Sequence, residues 1–338
     1  AVRGFIHGFV SSLRFESGAC TARDVPKTII ARGICAVNAI LYSRNPNAPQ
    51  MVPAVAARFF TKDPARRLHL RAKMVRNTCL EDFFMKDTRA MAYVNMYGVL
   101  GALENLCALD AVAREILAAL KRPVSLCFDV KDGPCCTFHF SREGCRMEEG
   151  RANCTCRMRF SSPEAFNALI DRSKPGLPVK GIGQLLAFLT GPFTQLTNRL
   201  TALLRPSEEA LRERAFFEES TLLTLYVVAG AISALANEDP IARLSASYTV
   251  DGEISLGVRD VASVTIAVKE HHFTTIKAPS AHPRVIMEFA DLDLAHGLFT
   301  GTASTIDEMC RGTIRLAGMI SMADNVNRIL DRVSLYLG

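Results

Sequence analysis

Val285-Ile286-Met287-Glu288-Phe289-Ala290-Asp291-Leu292-Asp293-Leu294 is the stretch whose reading decides the fold. Five residues with β-branched and aromatic character read as a strand, and a helix starts directly behind them at Asp291-Leu292-Asp293. The same grammar stands 129 residues earlier, where Met158-Arg159-Phe160-Ser161 aligns with Met287-Glu288-Phe289-Ala290. There Ser162 suits an N-cap, Pro163 the first helical position and Glu164 the positive end of the helix dipole.

Working outward, the offset of 129 holds without a gap. Met96-Tyr97-x-Val99-x-Gly101-Ala102-Leu103 meets Leu225-Tyr226-x-Val228-x-Gly230-Ala231-Ile232. Asp110 meets Asp239, Ala113 meets Ala242, Arg114 meets Arg243, and Asn198-Arg199-Leu200 meets Asn327-Arg328-Ile329. One constant register over so long a stretch makes the chain a duplication.

Each copy shows the same order. An Ala- and Leu-rich helix comes first, near 90–118 and 208–237. Alternating stretches then read as strands: Val124–Val130, Cys136–Ser141 and Asn153–Phe160 in the first copy. In the second they are Leu244–Val250, Ile254–Val258, Ser263–Lys269, Phe273–Lys277 and Arg284–Phe289. Turns are expected at Lys131-Asp132-Gly133 and, as its counterpart, Val250-Asp251-Gly252. Both copies close with a long apolar helix, near 184–204 and 319–336. The expected class is α+β: two tandem modules, each a mostly antiparallel sheet covered by helices, behind a helical basic region. The boundaries are 1–90, 91–205 and 206–338.

The second half of each copy resembles the sterol carrier protein (non-specific lipid-transfer) family. The clearer passage runs from strand Val285–Phe289 through helix Asp291–Thr300, which ends in Leu298-Phe299-Thr300-Gly301. Thr305–Cys310 follows as a short helix, then Arg311-Gly312-Thr313-Ile314-Arg315-Leu316-Ala317-Gly318 as a final strand and an apolar helix. The first copy keeps Arg157–Arg172, but its final strand around Ser173–Gly183 is less recognisable. The resemblance implies an apolar tunnel for a sterol, fatty acid or acyl chain, and leaves residues 1–90 unaccounted for. The tunnel-lining residues it implies are Phe166, Ile170, Leu185, Phe188 and Leu189 in the first copy. In the second they are Leu294, Leu298, Phe299, Leu316, Met319 and Met322, with methionines that adapt to variable apolar ligands.

Composition bounds the remaining classes. Of 338 residues, 49% are hydrophobic and 22% charged, with no Trp, so Leu, Ile, Val, Ala, Met and Phe must build the core. Eleven cysteines without a regular framework fit a reducing, cytoplasmic setting. Six of them, from Cys127 to Cys156, lack zinc spacing and read as small strand hydrophobes. The uncharged runs Gly181–Asn198 and Ser220–Asn237 approach membrane-span length but read as buried helices. Residues 1–90 carry 15 Lys and Arg against 6 Asp and Glu, so the basic character of the chain sits there. Within it, Arg66, Arg67, Arg71 and Lys73 form a candidate surface for anionic membrane, competing with a merely solvated helix face. Nucleic acid is not an expected partner, since no recognised motif accompanies the charge.

No G-x-S-x-G elbow, H-E-x-x-H, P-loop or complete G-x-G-x-x-G occurs. Glu270-His271-His272 would place its histidines on opposite faces of a strand, and His296 stands opposite Asn167 of the first copy. The expected function is non-catalytic lipid binding and lipid transport in a hydrophobic cavity, with no cofactor, no metal and no catalytic residue. A self-associating oligomer is compatible with it. Two alternatives stay open: an assembly or regulatory scaffold that keeps the fold without a cavity, and a lipid-modifying enzyme.

Overall fold

The computed structural model describes residues 85–171 and 187–337, and the described residues from Lys86 onward belong to one compact unit. The chain enters through α1 (Thr88–Tyr93), whose N-terminus Asp87 caps by accepting from Ala90 N–H at 2.7 Å. A π-helical stretch, Val94–Leu100, continues it into α2 (Ala102–Leu109) and α3 (Ala111–Ala118). The expected single helix over 90–118 is therefore broken. Asp110 breaks it: its extended backbone ends α2 while its carboxylate accepts from Ala113 N–H to start α3.

The first sheet follows, with β1 (Val124–Val130), β2 (Cys135–Ser141), β3 (Gly144–Glu149) and β4 (Cys156–Phe160) in the order β3-β2-β1-β4. Helix α4 (Pro163–Ile170) starts on a Ser162 cap, as expected. A second π-helical stretch, Leu189–Phe193, carrying Pro192, leads into α5 (Thr194–Leu204). The long α6 (Arg214–Glu238) and short α7 (Ala242–Ser247) open the second half. Its sheet has β5 (Gly252–Val258), β6 (Ala262–Lys269), β7 (His272–Ile276), β8 (Val285–Phe289) and β9 (Ile314–Gly318) in the order β7-β6-β5-β8-β9. Helices α8 (Leu292–Thr300) and α9 (Thr305–Arg311) lie between β8 and β9, and α10 (Ile320–Leu337) closes the chain.

The class is α+β, and both sheets are mixed. In each, the first strand pairs antiparallel with the second and parallel with the strand that returns after the hairpins. Phe128 faces Met158 in one parallel ladder and Leu256 faces Met287 in the other. The two methionines thus hold equivalent places.

Several expected elements need correction. Leu244–Val250 is not a strand: α7 occupies Ala242–Ser247, because Asp239 caps it through Ile241 and Ala242 N–H at 3.0 and 2.8 Å. The turn equivalent to Lys131-Asp132-Gly133 is Arg259-Asp260-Val261; Asp132 and Asp260 both adopt positive φ, 57° and 58°. Glu270 and His271 also have positive φ, 51° and 64°, and form the two-residue hairpin turn between β6 and β7. So the two histidines are not strand neighbours. Strand β3, which escaped the reading of the sequence, completes the first sheet.

Helix α6 explains its own composition. It is long and apolar enough to cross a membrane, yet 78% of its apolar window is buried inside the fold. Phe216, Leu223 and Val227 enter the core of the first half, while Leu225, Val228, Ala229, Ala231, Ile232 and Leu235 enter that of the second. Helix α1 and the stretch after it divide likewise, with Ala90 and Val94 on one side and Ala92, Met96 and Leu100 on the other. A helix with apolar partners on both faces reads as apolar all round.

Candidate functional site

In the second half, an apolar layer separates the sheet from its helices. The strands supply Ile254, Leu256, Ile266, Val285, Met287 and Phe289, all buried. Against them lie Leu292, Ala295, Leu298 and Phe299 of α8, and Met322, Val326, Ile329 and Leu330 of α10. Strand alternation and helical spacing explain both sets. Phe289 and Phe299 meet edge to face at 6.0 Å.

Of the expected lining residues here, Leu298, Phe299 and Met322 are in this layer, and Leu294 and Leu316 pack partly buried against it. Met319 is 39% exposed and its neighbour Ile320 is 76% exposed, so the apolar run reaches the surface where α10 begins. His296, on α8, lies outside the layer with its ring 4.8 Å from that of Phe217. Burial lowers its pKa, against an upward pull from Asp293, which favours the neutral imidazole.

The first half fills the equivalent space with aromatic rings. Phe128 is central, with Phe138, Phe160, Phe166 and Phe193 at centroid distances of 5.7, 6.4, 6.4 and 6.2 Å. Expected liners Phe166, Phe188 and Leu189 belong to this core, and Ile170 packs partly buried against it. Leu185 lies outside the described residues, as do Arg66, Arg67, Arg71, Lys73 and the segment 173–183. The reading of the sequence missed the central role of Phe128, although the strand alternation of Phe128, Phe138, Phe140 and Phe160 carries the signal. Asn167, the counterpart of His296, is buried: Asn95 Nδ2 donates to its Oδ1 at 3.0 Å, and its Nδ2 donates to Thr88 O at 2.9 Å.

Two surface concavities open elsewhere. One, of about 450 Å³, is lined by Gly252, Glu253, Thr265, Ser280, His282 and Arg284 among others. The other, of about 270 Å³, is lined by Asp129, Lys131, Arg151, Arg157, Arg159 and Phe160. Neither takes a side chain from the expected lining sets.

Cys107 of the first half lies on α2, and its other described cysteines sit on the strands and the loop before β4. Cys127, Cys136 and Cys145 are buried, and Cys127 Sγ lies 4.0 Å from Cys135 Sγ. Burial first, then Cys127, pushes the Cys135 thiol up to about 11, and burial pushes Cys136 higher still. Such thiols stay protonated at neutral pH and make poor nucleophiles. Among the described residues no group of three His, Cys, Asp or Glu side chains is arranged to hold a metal ion.

No family model and no curated protein matches the chain. Among solved structures, it is similar to the solution structure of a conserved hypothetical protein from Thermus thermophilus, described as "possibly sterol carrier protein". That match has 21% identity and a TM-score of 0.26, and covers 33% of this chain and 86% of the other.

Proposed function

We propose that this chain binds and carries an apolar lipid (a sterol, a fatty acid or an acyl chain) and catalyses no reaction. In this reading residues 91–205 and 206–338 are tandem sterol-carrier-like modules, and the second is the principal binder. One observation carries it: the apolar layer between the second sheet and helices α8 and α10 includes buried Met322, which lies three residues along the chain from exposed Met319 and two from exposed Ile320. A lipid chain entering there would displace flexible Met and Leu side chains rather than a rigid aromatic cluster. Each methylene it buries contributes about 0.8 kcal/mol. The likeness of Val285–Gly318 to the sterol carrier protein pattern supports the same reading. Arg66, Arg67, Arg71 and Lys73 would serve delivery by holding the chain on anionic membrane.

Native mass spectrometry of the freshly purified full chain tests this, followed by titration of the delipidated chain with a fluorescent fatty acid and a fluorescent sterol. Saturable binding at one or two sites is expected, weakened at least tenfold by Leu298→Trp. Absence of co-purified lipid together with no binding of either probe sinks the reading and leaves the scaffold alternative.

A further inference from the structure

The 270 Å³ concavity of the first half collects four cations: Lys131, Arg151, Arg157 and Arg159. The fold explains their meeting. Strands β1 and β4 run parallel with Asp129 beside Arg159 and Cys127 beside Arg157. Alternation along β4 turns Met158 and Phe160 inward and leaves Arg157 and Arg159 exposed. Lys131 is brought to the same end, since its backbone N–H donates to Phe160 O at 3.1 Å. Arg151 reaches in from the loop before β4 and pairs with Asp129 at 3.1 Å.

That pair occupies the one carboxylate lining the concavity, whose side chain is 12% exposed. Lys131, Arg157 and Arg159 make no ion pair among the described residues. No described carboxylate within ion-pair distance compensates their charge. The second half shows that the sheet itself does not require this. At the 129-residue offset, Arg159 becomes Glu288, Arg157 becomes Ile286 and Arg151 becomes Ser280. There Glu288 draws in Arg259 at 3.2 Å and Arg315 at 3.8 Å, so the equivalent corner carries its own counter-charge.

Three guanidinium forks and an ammonium around one small hollow match a tetrahedral phosphate, which offers several acceptor oxygens and up to two negative charges. Phe160, which forms part of the wall, is itself 5% exposed, so the hollow lacks the open aromatic platform that single-stranded nucleic acid stacks on. We propose that Lys131, Arg151, Arg157 and Arg159 form a binding site for a phosphate group, carried by a lipid headgroup or by a small soluble phosphate. The site uses no residue of the apolar layer and stands or falls separately from lipid carriage.

The test uses the full chain and three probes: inorganic phosphate, glycerol 3-phosphate, and phosphatidylcholine vesicles with and without phosphatidic acid. Ionic strength is held constant with chloride. Side-chain ¹⁵N–¹H shifts of the arginines report the soluble probes, and co-sedimentation reports the vesicles. Arg157 and Arg159 resonances should move on titration, and binding should fall roughly fivefold per arginine removed in R157Q/R159Q. The charge-matched variant R205Q/R212Q, altered at exposed arginines elsewhere, should bind as the parent does. Unchanged thermal melts establish that both variants are folded. A loss restricted to phosphatidic acid vesicles assigns the phosphate to a lipid headgroup, and a loss restricted to the soluble probes assigns it to a small molecule. Parent-like behaviour of R157Q/R159Q in both arms, or an equal loss in R205Q/R212Q, overturns the site.

Discussion

Asp110 and Asp239, 129 residues apart in sequence, do the same work in the two halves of the fold. Each carboxylate is fully buried, caps the short helix that follows it, and takes a guanidinium from a later helix. For Asp110 the partner is Arg199 of α5, which also reaches Glu219 at 3.3 Å. For Asp239 it is Arg332 of α10, through Nε at 3.1 Å and Nη2 at 2.6 Å, joined by the Tyr336 hydroxyl at 2.7 Å. Tyr336 in turn accepts from Asp87 N–H at 2.6 Å, which ties the entry of α1 to the end of α10.

From this geometry, Arg332→Met should be among the more damaging single changes. Burial alone would raise the Asp239 pKa, but Arg332, Ala242 N–H and Tyr336 together hold it below the ordinary carboxylate range. Without the guanidinium a buried charge remains, at a cost of about 3–5 kcal/mol. Arg199→Met should cost less, because Arg199 is 26% exposed where Arg332 is 3%. The double change D239N/R332M should recover part of the loss, which urea denaturation of the four proteins would show as strong non-additivity. Equal destabilisation by the two arginine changes contradicts the assignment.

The sequence register marks Asp110 and Asp239 as equivalent, but not what they bind. It aligns Arg199 with Arg328, whereas Arg328 pairs with Asp324 at 2.9 Å and Arg332, one helical turn on, takes the buried carboxylate. Partner choice is settled by which face of α10 turns inward, and a linear offset does not contain that. Strand and helix order was legible because alternation and caps are local; β8, α8 and α10 follow their expected bounds to within two residues. The segment Leu244–Val250 misled because its apolar residues alternate while the Asp239 cap imposes a helix over Ala242–Ser247. The lining residues were readable as apolar, but whether such a residue fills a core or borders a ligand depends on packing across elements. Phe166, held among other rings, shows the difference from Met319 at the surface.

A second prediction concerns the crossing of the two long helical segments. A Cβ placed on Gly230 would lie 2.9 Å from Gly98 Cα and from Tyr97 O, so the two backbones touch there. Neither backbone can retreat without moving a helix that serves both cores. Gly230→Ala should therefore destabilise by about 1–3 kcal/mol despite the better helix propensity of Ala, and Gly230→Leu more. Gly191, with open space around its Cβ, serves as the comparison. Thermal melts that rank Gly230→Ala no worse than Gly191→Ala count against the close crossing.

A third prediction uses the turn between β6 and β7. Glu270 is exposed and holds a φ of 51°, a conformation that costs an L-residue with a long side chain about 1 kcal/mol. Asn accepts it more readily. The backbone N–H of Glu270, which donates to Asp251 Oδ1 at 2.8 Å, is kept by the substitution. Glu270→Asn should raise stability by about 0.5–1 kcal/mol in urea denaturation; a decrease would mean that the turn is not of this type.

The last prediction concerns pH. Asp331 lies beside Arg332 in sequence, yet its Oδ1 is sealed from water and accepts no hydrogen bond. Burial pushes its pKa up to about 8, with Asp324 adding to the rise and Arg328 opposing it. In the unfolded chain the group returns to about 4. Between those values the folded state keeps a proton that the unfolded state has released, so stability falls as pH rises. The contribution is complete below about pH 4 and gone above about pH 8. Asp239 has the opposite sign and a separate window, since its depressed pKa withdraws stability only as pH falls below about 4. Asp331→Asn keeps the shape and removes the titration. Because the side chain is half-buried, the difference between parent and variant should amount to about 1–3 kcal/mol across pH 5 to 8.5, with the variant the more stable at the alkaline end. Denaturant midpoints of the two proteins measured along that range would show the gap widening with pH. A gap that stays constant would place an ordinary, water-exposed carboxylate at position 331.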